Sequence, residues 1–498
     1  MDTKGFKERG SGVLMHISSL PGPFGIGTLG TNAYKFIDFL KEAEQAYWQI
    51  LPVCPTSYGD SPYQSFSTFA GNPYFIDFEL LEKDGLLSKA DYEKINWGDN
   101  KSYVDYGLLY IKRHELFAKL QDNFEKKTPA DYKAFCKKNA FWLEDYALFM
   151  AVKDAHNGVA FLEWEEDIRM RQPAAVKKWT KQCERRIEYY KMLQYLFFKQ
   201  WNALRSYAAK NDIRIIGDIP IYVAADSADV WTHPELFKLN KKCVPLEVAG
   251  CPPDAFTELG QLWGNPVYNW KEHKASGYAW WKQRLKASLE IYDILRIDHF
   301  RGFESFYTIK YGMPDAKLGL WRKGPGAALF AEVKKEFGEV PIIAEDLGFM
   351  TDEVRKMLKK CGFPGMKVVQ FGFDGSEDNS YLPENYTENC IVYTGTHDND
   401  TLVGWINTAS EHALSLAMKV LHFDSKEQAA DAFIRAVFES PCDTAVIPMQ
   451  DLLKLGTEAR MNLPGTIGGN WLWRMKPNSM TLELSMKYSK LNAETNRR

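Results

Sequence analysis

Short apolar runs bounded by turn-forming residues recur along the chain and set its predicted architecture. Runs of about four to eight residues rich in valine, isoleucine and aromatic side chains are typical of buried β-strands. The sequence contains eight such runs: GVLMHI near 12–17, YWQILPV near 47–53, IRIIGDI near 213–219, YDILRID near 292–298, VPIIAED near 340–346, MKVVQFGF near 366–373, CIVYTGTHD near 390–398 and TAVIPMQD near 444–451. Each run predicts one β-strand.

Between several of these runs the apolar positions change to the spacing of a helix. The segment TNAYKFIDFLKEAEQA predicts a helix with one apolar stripe, made of Phe36, Phe39, Leu40 and Ala43. The segment TDEVRKMLKKCG has both ends marked, because Thr351 is a candidate N-cap, acids follow it, lysines come late and Gly362 ends the pattern. Its predicted apolar stripe is Val354, Met357, Leu358 and Cys361.

Strands that alternate with helices predict an α/β protein. Eight such strands predict a (β/α)8 TIM barrel, with residues 1–498 as a single catalytic unit. Roughly 160 residues separate the second and third runs, far more than one crossover helix needs, so we expect an inserted, mainly helical subdomain over 78–210. A second insertion over 220–285 is rich in proline, glycine and tryptophan, and we expect it to form a lid that binds substrate.

Composition and charge narrow the class of protein. The net charge of -3, with 62 basic and 65 acidic residues, gives no support for a nucleic-acid-binding surface. No apolar stretch has the length of a signal peptide core or a membrane span, so we expect neither. Eight scattered cysteines without a C-x-x-C pair predict reduced thiols in a cytoplasmic protein. The 15 tryptophans and 25 tyrosines suit a sugar ligand, because their rings offer an apolar face and a polar tip.

Acidic residues close four of the predicted strands. Asp218 ends IIGD, Asp298 ends LRID, Glu345 and Asp346 end IIAED, and Asp398 ends GTHD. In barrel enzymes the active site lies at the C-terminal ends of the strands, so these acids are expected to share one pocket. A single acid at a strand end is commonly the N-cap of the next helix. Four such ends, three with histidine or arginine beside the acid, favour a catalytic site.

A pocket of carboxylates can bind a metal ion such as Mg²⁺, or it can cleave a glycosidic bond with a nucleophile and an acid/base. Arg296 precedes Asp298 by two residues, so both side chains lie on the same side of a strand. The guanidinium is expected to lower the pKa of Asp298, and it would compete with a metal ion. Glu345 follows the apolar run PIIA, so burial is expected to raise its pKa and keep it protonated. These neighbours favour glycoside chemistry.

Longer motifs give the sequence a specific resemblance. RIDHFRG, IIAEDLG and GTHDNDT, in this order, resemble the catalytic motifs of the glycoside hydrolase 77 family, the 4-α-glucanotransferases or amylomaltases of the α-amylase clan. The segments HISSLPGPFGIGTLG, SPYQSFSTFAGNP, GDIPIYV, PPDAFTELGQLWGNPVYNW and MNLPGTIGGNWLWR resemble the same family, so the match spans nearly the whole chain. The resemblance implies maltooligosaccharides and other α-1,4-glucans as substrates, and no metal or organic cofactor.

The resemblance also implies roles for individual residues. Asp298 would be the nucleophile, Glu345 the general acid/base, and Asp398 the residue that steadies the distorted sugar. The implied substrate contacts are Tyr63, Asp218, Trp263, Asn265, Arg296, His299, Asp346, Asp374, His397 and Asn462. Among these, the Tyr63 ring would stack on a sugar, and Asp346 and Asp374 would contact the acceptor.

The implied reaction is a retaining double displacement through a covalent glycosyl-aspartate intermediate. Transfer results when the 4-hydroxyl of another glucan or of glucose attacks the intermediate, and hydrolysis results when water attacks it. Three alternatives stay open at this point: an α-1,4-glucan hydrolase, a catalytically silent glucan-binding protein on a barrel scaffold, and a metal-dependent barrel enzyme.

Overall fold

The computed structural model of the protein describes residues 9–253, 257–348, 350–374, 376 and 379–497. The strands in this part of the chain are β1 (Gly10–Leu14), β2 (Tyr47–Gln49), β3 (Arg214–Ile219), β4 (Glu247–Cys251), β5 (Gln261–Pro266), β6 (Ile294–Ile297), β7 (Ser305–Lys310), β8 (Gly319–Lys323), β9 (Ile342–Ala344), β10 (Gly365–Val368), β11 (Cys390–Tyr393) and β12 (Thr444–Pro448). Eight of them pair in parallel in the order β10, β11, β12, β1, β2, β3, β6 and β9. The sheet closes into a barrel where the N–H of Ala344 donates to the carbonyl oxygen of Pro364 over 2.9 Å.

These eight parallel strands coincide with the eight apolar runs, so the predicted (β/α)8 barrel is confirmed. Nearly all their residues are buried, because the strands pack against the barrel interior on one side and against helices on the other. Close packing also explains a glycine in β3. A Cβ added at Gly217 would lie 2.1 Å from the ring of Tyr292, so a larger residue would push the start of β6 away from β3.

The α-helices of the described residues are α1 (Thr31–Glu42), α2 (Phe78–Lys83), α3 (Lys89–Tyr92), α4 (Tyr106–Lys126), α5 (Tyr132–Ala155), α6 (Glu166–Arg169), α7 (Pro173–Gln182), α8 (Glu184–Lys210), α9 (Ala228–Thr232), α10 (Trp270–Ala275), α11 (Ala279–Ile291), α12 (Ala327–Phe337), α13 (Asp352–Cys361), α14 (Leu402–Thr408), α15 (Glu411–Leu421), α16 (Lys426–Glu439), α17 (Met449–Leu452) and α18 (Leu482–Glu494). The predicted stripe of α1 is confirmed, because Phe36, Phe39 and Leu40 are buried and Phe36 packs on Trp48 of β2. Within the described ranges no helix is long and apolar enough to cross a membrane.

The predicted ends of α13 are also confirmed. The Thr351 side chain accepts a hydrogen bond from the N–H of Val354, as an N-cap does. Gly362 ends the helix with a φ of 74°, a left-handed conformation that glycine adopts without steric cost. Val354 and Met357 of the predicted stripe are buried.

Two long connections leave the barrel before β6. The first joins β2 to β3 and contains α2 to α8, with the long helices α5 and α8 packed side by side. The second joins β3 to β6 and contains α9, β4, β5, α10 and α11. The division into inserted subdomains over 78–210 and 220–285 stays a prediction.

A second, antiparallel sheet has no counterpart in the sequence analysis. Its order is β5, β4, β7 and β8, so it combines strands from the connection before β6 with strands that follow β6. Several residues of β5 and β8 are exposed, and the pairing of β4 with β5 is interrupted by a bulge. Such strands lack the continuous apolar run that marks a barrel strand, and the sequence pattern therefore did not reveal them.

The Arg497 side chain links the start of β1 to the residues that precede β12. Arg497 is fully buried, and its guanidinium donates to the carbonyl oxygens of Gly10, Phe438, Ser440 and Cys442 over 2.6 to 3.1 Å. Gly10 is the first residue of β1, Phe438 lies in the last turn of α16, and Ser440 and Cys442 lie between α16 and β12. Arg497 therefore joins the first strand of the barrel to the approach to the last one.

Candidate active site

Four acidic side chains lie at the C-terminal ends of barrel strands. Asp218 belongs to β3, Asp298 follows β6, Glu345 follows β9, and Asp398 lies in the loop after β11. Because β3, β6 and β9 are neighbours in the barrel, three of the four acids come from adjacent strands. The fold thus brings together acids from four distant stretches of the sequence, as the strand-end pattern predicted.

Arg296 links two of these acids. Its Nη1 lies 2.6 Å from Oδ2 of Asp218, and its Nη2 lies 2.9 Å from Oδ1 of Asp298. Arg296 and Asp218 are almost fully buried, whereas the side chain of Asp298 is 30% exposed. The Tyr63 hydroxyl donates to the same Oδ2 of Asp218 over 2.7 Å. The guanidinium therefore holds Asp298 from its buried side. Part of the Asp298 carboxylate stays exposed to the pocket.

The pKa of Asp298 reflects opposing effects. Burial raises the pKa, the Arg296 guanidinium lowers it, and the charges of Asp218 and Asp398 raise it again, which gives a pKa of about 6. The expectation that Arg296 would bring this pKa below its ordinary value is wrong, because the loss of hydration outweighs the guanidinium. Asp298 is still mainly ionised at neutral pH.

Glu345 is buried and is held by backbone N–H groups. Its Oε2 accepts from the N–H of His299 and its Oε1 from the N–H of Leu347, each over 2.7 Å. His299 has a left-handed backbone conformation with a φ of 51°, in which its N–H reaches Glu345. Burial, and then the negative charge of Asp298, raise the pKa of Glu345 to about 8. The direction is the one expected from the sequence, and Glu345 is mainly protonated at neutral pH.

Asp398 is held by the late loop of the chain. The side-chain amide of Asn462 donates to Oδ1 of Asp398 over 2.6 Å, and Nε2 of His397 lies 3.4 Å from the same oxygen. The Tyr63 ring stacks on the His397 ring, with centroids 5.1 Å apart and 15° between the planes. Trp471 packs against both rings. Tyr63, His397 and Asn462 therefore join the same pocket as the acids.

Two further predicted contacts come from β5 of the second sheet. The Trp263 ring meets the His299 ring edge to face, with centroids 4.9 Å apart. Asn265 is only 5% exposed, and its side-chain amide donates to the carbonyl oxygen of Val223 over 2.8 Å. Trp263 thus lies on the Glu345 side of the pocket, while the Asn265 side chain supports the loop that follows β3.

Among the described residues, Asp346 and Asp374 make no hydrogen bond with the four strand-end acids named above. Oδ1 of Asp346 instead accepts from the N–H of Met366 over 2.6 Å, which joins β9 to β10, and burial raises the pKa of Asp346. Asp374 is exposed, and its carboxylate accepts from the N–H of Ser376 over 2.8 Å. The contact of both residues with an acceptor stays a prediction.

Arg460 also belongs to the site, although no sequence pattern predicted it. Its guanidinium donates to the carbonyl oxygens of Asp398, over 2.7 Å, and Asn462, over 2.8 Å. It therefore locks the loop after β11 to the late loop. The only feature of the sequence that pointed to Arg460 was its place directly before the motif MNLPGTIGGNWLWR.

His16 and Gln64 lie near the site as well, within the motifs HISSLPGPFGIGTLG and SPYQSFSTFAGNP, and were not predicted. His16 is buried edge to face against Phe75, and burial, then the electrostatic interaction with His397, lower its pKa to about 3. Gln64 follows Tyr63 and reaches β5. Neither residue ends a strand or stands beside an acid in the sequence, so no local pattern marked them. The part of the chain that the structure describes contains no group of three or more His, Cys, Asp or Glu arranged to hold a metal ion.

Comparison with known proteins agrees with this geometry. A family model described as 4-alpha-glucanotransferase matches residues 15–481. The chain belongs to the glycoside hydrolase 77 family. The predicted family is thereby confirmed.

Relatives of this glycoside hydrolase 77 chain match it along almost its full length. A 4-alpha-glucanotransferase from Clostridium butyricum is 50% identical over 479 residues, which cover 96% of this chain and 98% of the relative. A 4-alpha-glucanotransferase from Streptococcus pneumoniae is 47% identical over 496 residues, 98% of each chain. These relatives confirm the prediction of a transferase rather than a hydrolase.

Solved structures of the same kind superpose closely. The amylomaltase from Streptococcus agalactiae in complex with acarbose matches with a TM-score of 0.96 at 43% identity, and the match covers 98% of this chain and 100% of that one. The amylomaltase from Corynebacterium glutamicum shares the fold, with a TM-score of 0.78 at 17% identity over 98% of this chain and 75% of that one.

Proposed function

We propose that this protein moves segments of α-1,4-glucans to the 4-hydroxyl of another glucan or of glucose, with Asp298 as nucleophile and Glu345 as acid/base. The observation that carries this assignment is the different setting of the two carboxyl groups. Asp298 is partly exposed and contacts the Arg296 guanidinium, whereas Glu345 is buried and contacts neutral N–H groups. With pKa values of about 6 and about 8, one group is ionised and the other protonated at the same pH.

The proposed reaction has two steps. First, Glu345 gives its proton to the oxygen of the scissile α-1,4 bond while Asp298 attacks the anomeric carbon, so the leaving glucan departs and a glycosyl ester forms. Second, Glu345 takes the proton of the incoming 4-hydroxyl, whose oxygen attacks the same carbon and releases Asp298. Esterification removes the Asp298 charge, which is one cause of the raised pKa of Glu345. The pKa of Glu345 therefore falls in the intermediate, when Glu345 must act as a base.

The other predicted site residues fall into groups by exposure. Side chains that are partly exposed would bind sugar hydroxyls or stack on a sugar ring: Tyr63, Trp263, His299, Asp398 and Asn462. His397 is only 7% exposed and is proposed to bind the same sugar beside Asp398. Side chains that are almost fully buried would hold those groups in place: Asp218, Asn265 and Arg296. The Asp398 side chain is 42% exposed, so its carboxylate is available to steady a distorted sugar. Asp346 and Asp374 are proposed for the acceptor side.

We propose maltooligosaccharides as the substrates and the segment 220–285 as a lid that limits the access of water. Trp263 lies beside His299 at the edge of the pocket, where a bulky ring can exclude solvent from the intermediate. An acceptor bound there brings its 4-hydroxyl to the intermediate in a fixed orientation, which favours transfer. Acarbose, which is bound in the S. agalactiae structure, is expected to bind this pocket as well.

A cytoplasmic location fits the cysteines. All eight are free thiols, although the Sγ atoms of Cys390 and Cys442 lie only 2.7 Å apart. A pair this close is kept reduced most readily in a reducing compartment. The proposed steps use no metal or organic cofactor.

Incubation of the purified protein with maltotriose tests the proposal. Transfer yields glucose together with a ladder of longer maltooligosaccharides, and the number of reducing ends stays constant. Hydrolysis yields glucose and maltose and increases the number of reducing ends. A product mixture without any chain longer than maltotriose would refute the proposed transfer.

A further inference from the structure

We propose that Gln64 is a positioning residue that holds Trp263 over the Glu345 side of the pocket and thereby favours transfer over hydrolysis. This inference rests on the proposed function of the same site. Gln64 stands next to Tyr63 in the connection from β2 to β3, while Trp263 lies in β5 of the second sheet. One side chain therefore ties a barrel loop to the lid segment.

The NH₂ group of the Gln64 side chain makes both bonds of this tie. Its Nε2 donates to Oδ1 of Asn265 over 3.1 Å and to the carbonyl oxygen of Trp263 over 3.4 Å. Asn265 in turn donates from its side-chain amide to the carbonyl oxygen of Val223, in the loop after β3. The loops after β2 and after β3 are thus joined to β5 through two adjacent amide side chains.

The part of β5 that Gln64 holds is a bulge. Val248 pairs with Pro266 and Gly250 pairs with Leu262, so β4 advances two residues while β5 advances four. Trp263, Gly264 and Asn265 lie in this irregular stretch, and Gly264 has a φ of 78°. In a bulge the regular ladder between the two strands is interrupted. The bonds from Gln64 to Trp263 and Asn265 supply support that the ladder does not give there.

The bulge determines where the Trp263 ring lies. From this position the ring packs on His299, whose N–H donates to Glu345. Loosening the bulge would free the ring, open the Glu345 side to water and weaken the contact with an acceptor sugar. The first effect favours hydrolysis of the glycosyl ester, and the second raises the KM for the acceptor.

Gln64→Glu is the sharpest test, because it keeps the size of the side chain and replaces two donors by acceptors. The carboxylate would face two oxygen acceptors, Oδ1 of Asn265 and the carbonyl oxygen of Trp263. Gln64→Met removes both bonds without adding a charge. The matched control is Gln182→Glu, the same substitution at an exposed position at the end of α7.

The assay follows maltotriose by product length and by reducing ends, and reports the ratio of hydrolysis to transfer relative to wild type at each pH. For Gln64→Glu we expect this ratio to rise at least fivefold at pH 7.5, with a higher KM for glucose as acceptor. Lowering the pH to 5 should reduce the excess, because a protonated carboxyl can donate one of the lost bonds. Gln64→Met should show a raised ratio that does not respond to pH in this way, and Gln182→Glu should match the wild type.

The inference is overturned if both Gln64 variants fold as the wild type does, by circular dichroism and Tm, and keep its ratio within twofold. If Gln64→Glu does not fold, Gln64→Met alone decides by the same criterion. A wild type that transfers normally while the Gln64 variants are unchanged refutes only this inference. A wild type that never lengthens maltotriose refutes the proposed function, and the inference falls with it.

Discussion

Glu345→Gln tests the role of the general acid most directly. Glutamine keeps the size of the side chain but has no acidic proton. Turnover of maltotriose should therefore fall by about 10²- to 10⁴-fold, the usual contribution of a general acid. A donor whose leaving group departs without a proton, such as α-glucosyl fluoride, should still form the ester on Asp298 at a rate within about tenfold of the wild type.

The pKa values in the site set the shape of the pH profile. With Asp298 at a pKa of about 6 and Glu345 at a pKa of about 8, kcat/KM for maltotriose should rise through pH 6, level off near pH 7 and fall through pH 8. At pH 7 Asp298 is mainly ionised and Glu345 mainly protonated, which is the active form of each group. The rate of fluoride release by Glu345→Gln should still rise through pH 6, because Asp298 must be ionised. It should no longer fall through pH 8, because Glu345 is absent.

The assay is fluoride release and maltotriose turnover, each measured across pH. Glutamine would have to turn its NH₂ towards the N–H of His299 or of Leu347, both of which now donate to Glu345. Glu345→Ala avoids this conflict and serves as the second variant. Turnover of maltotriose at more than about a tenth of the wild-type rate, or a fluoride profile that still falls through pH 8, would contradict the assigned role.

Three further substitutions test other parts of the structure. Asp298→Asn should lose nearly all turnover while its circular dichroism spectrum stays native, and substantial activity would refute the nucleophile. Asn462→Ala removes the 2.6 Å bond to Asp398 and should lower kcat/KM about tenfold, a loss of roughly 1.4 kcal/mol; unchanged kinetics would show that the bond is not needed. Arg497→Ala leaves several buried carbonyl oxygens without a donor, so urea denaturation should show about 3 kcal/mol or more of lost stability, with normal turnover per folded molecule. An unchanged urea midpoint would contradict that role.

The barrel could be predicted from the sequence because its strands are buried on both faces. Their continuous apolar runs stand out, and the acids at their ends follow from the geometry that all parallel barrels share. The second sheet could not be predicted in the same way, since β5 and β8 expose several residues and carry no continuous run. The β4–β5 and β7–β8 pairs are also separated in sequence, because β4 pairs with β7 across the whole of β6.

In the site, the acids at strand ends could be predicted from the sequence, and the residues in irregular loops could not. Asp298, Glu345 and Asp398 lie at strand ends, where a rule of the fold applies. Gln64 and Arg460 act from irregular loops, where no period relates sequence to direction. The net pKa of Asp298 was also beyond the sequence, which reveals the neighbouring arginine but not how much water the closed pocket removes.

The pairing of β1 with β12 has a consequence for biosynthesis. Among the described residues β1 precedes the other seven barrel strands, yet one of its two edges is completed only by residues 444–448, and Arg497 then joins Gly10 to the approach to that strand. The barrel therefore cannot close before residue 448 has left the ribosome. Until then one edge of β1 stays unpaired and can recruit strands from other chains, so the nascent chain is exposed to aggregation until β12 has emerged.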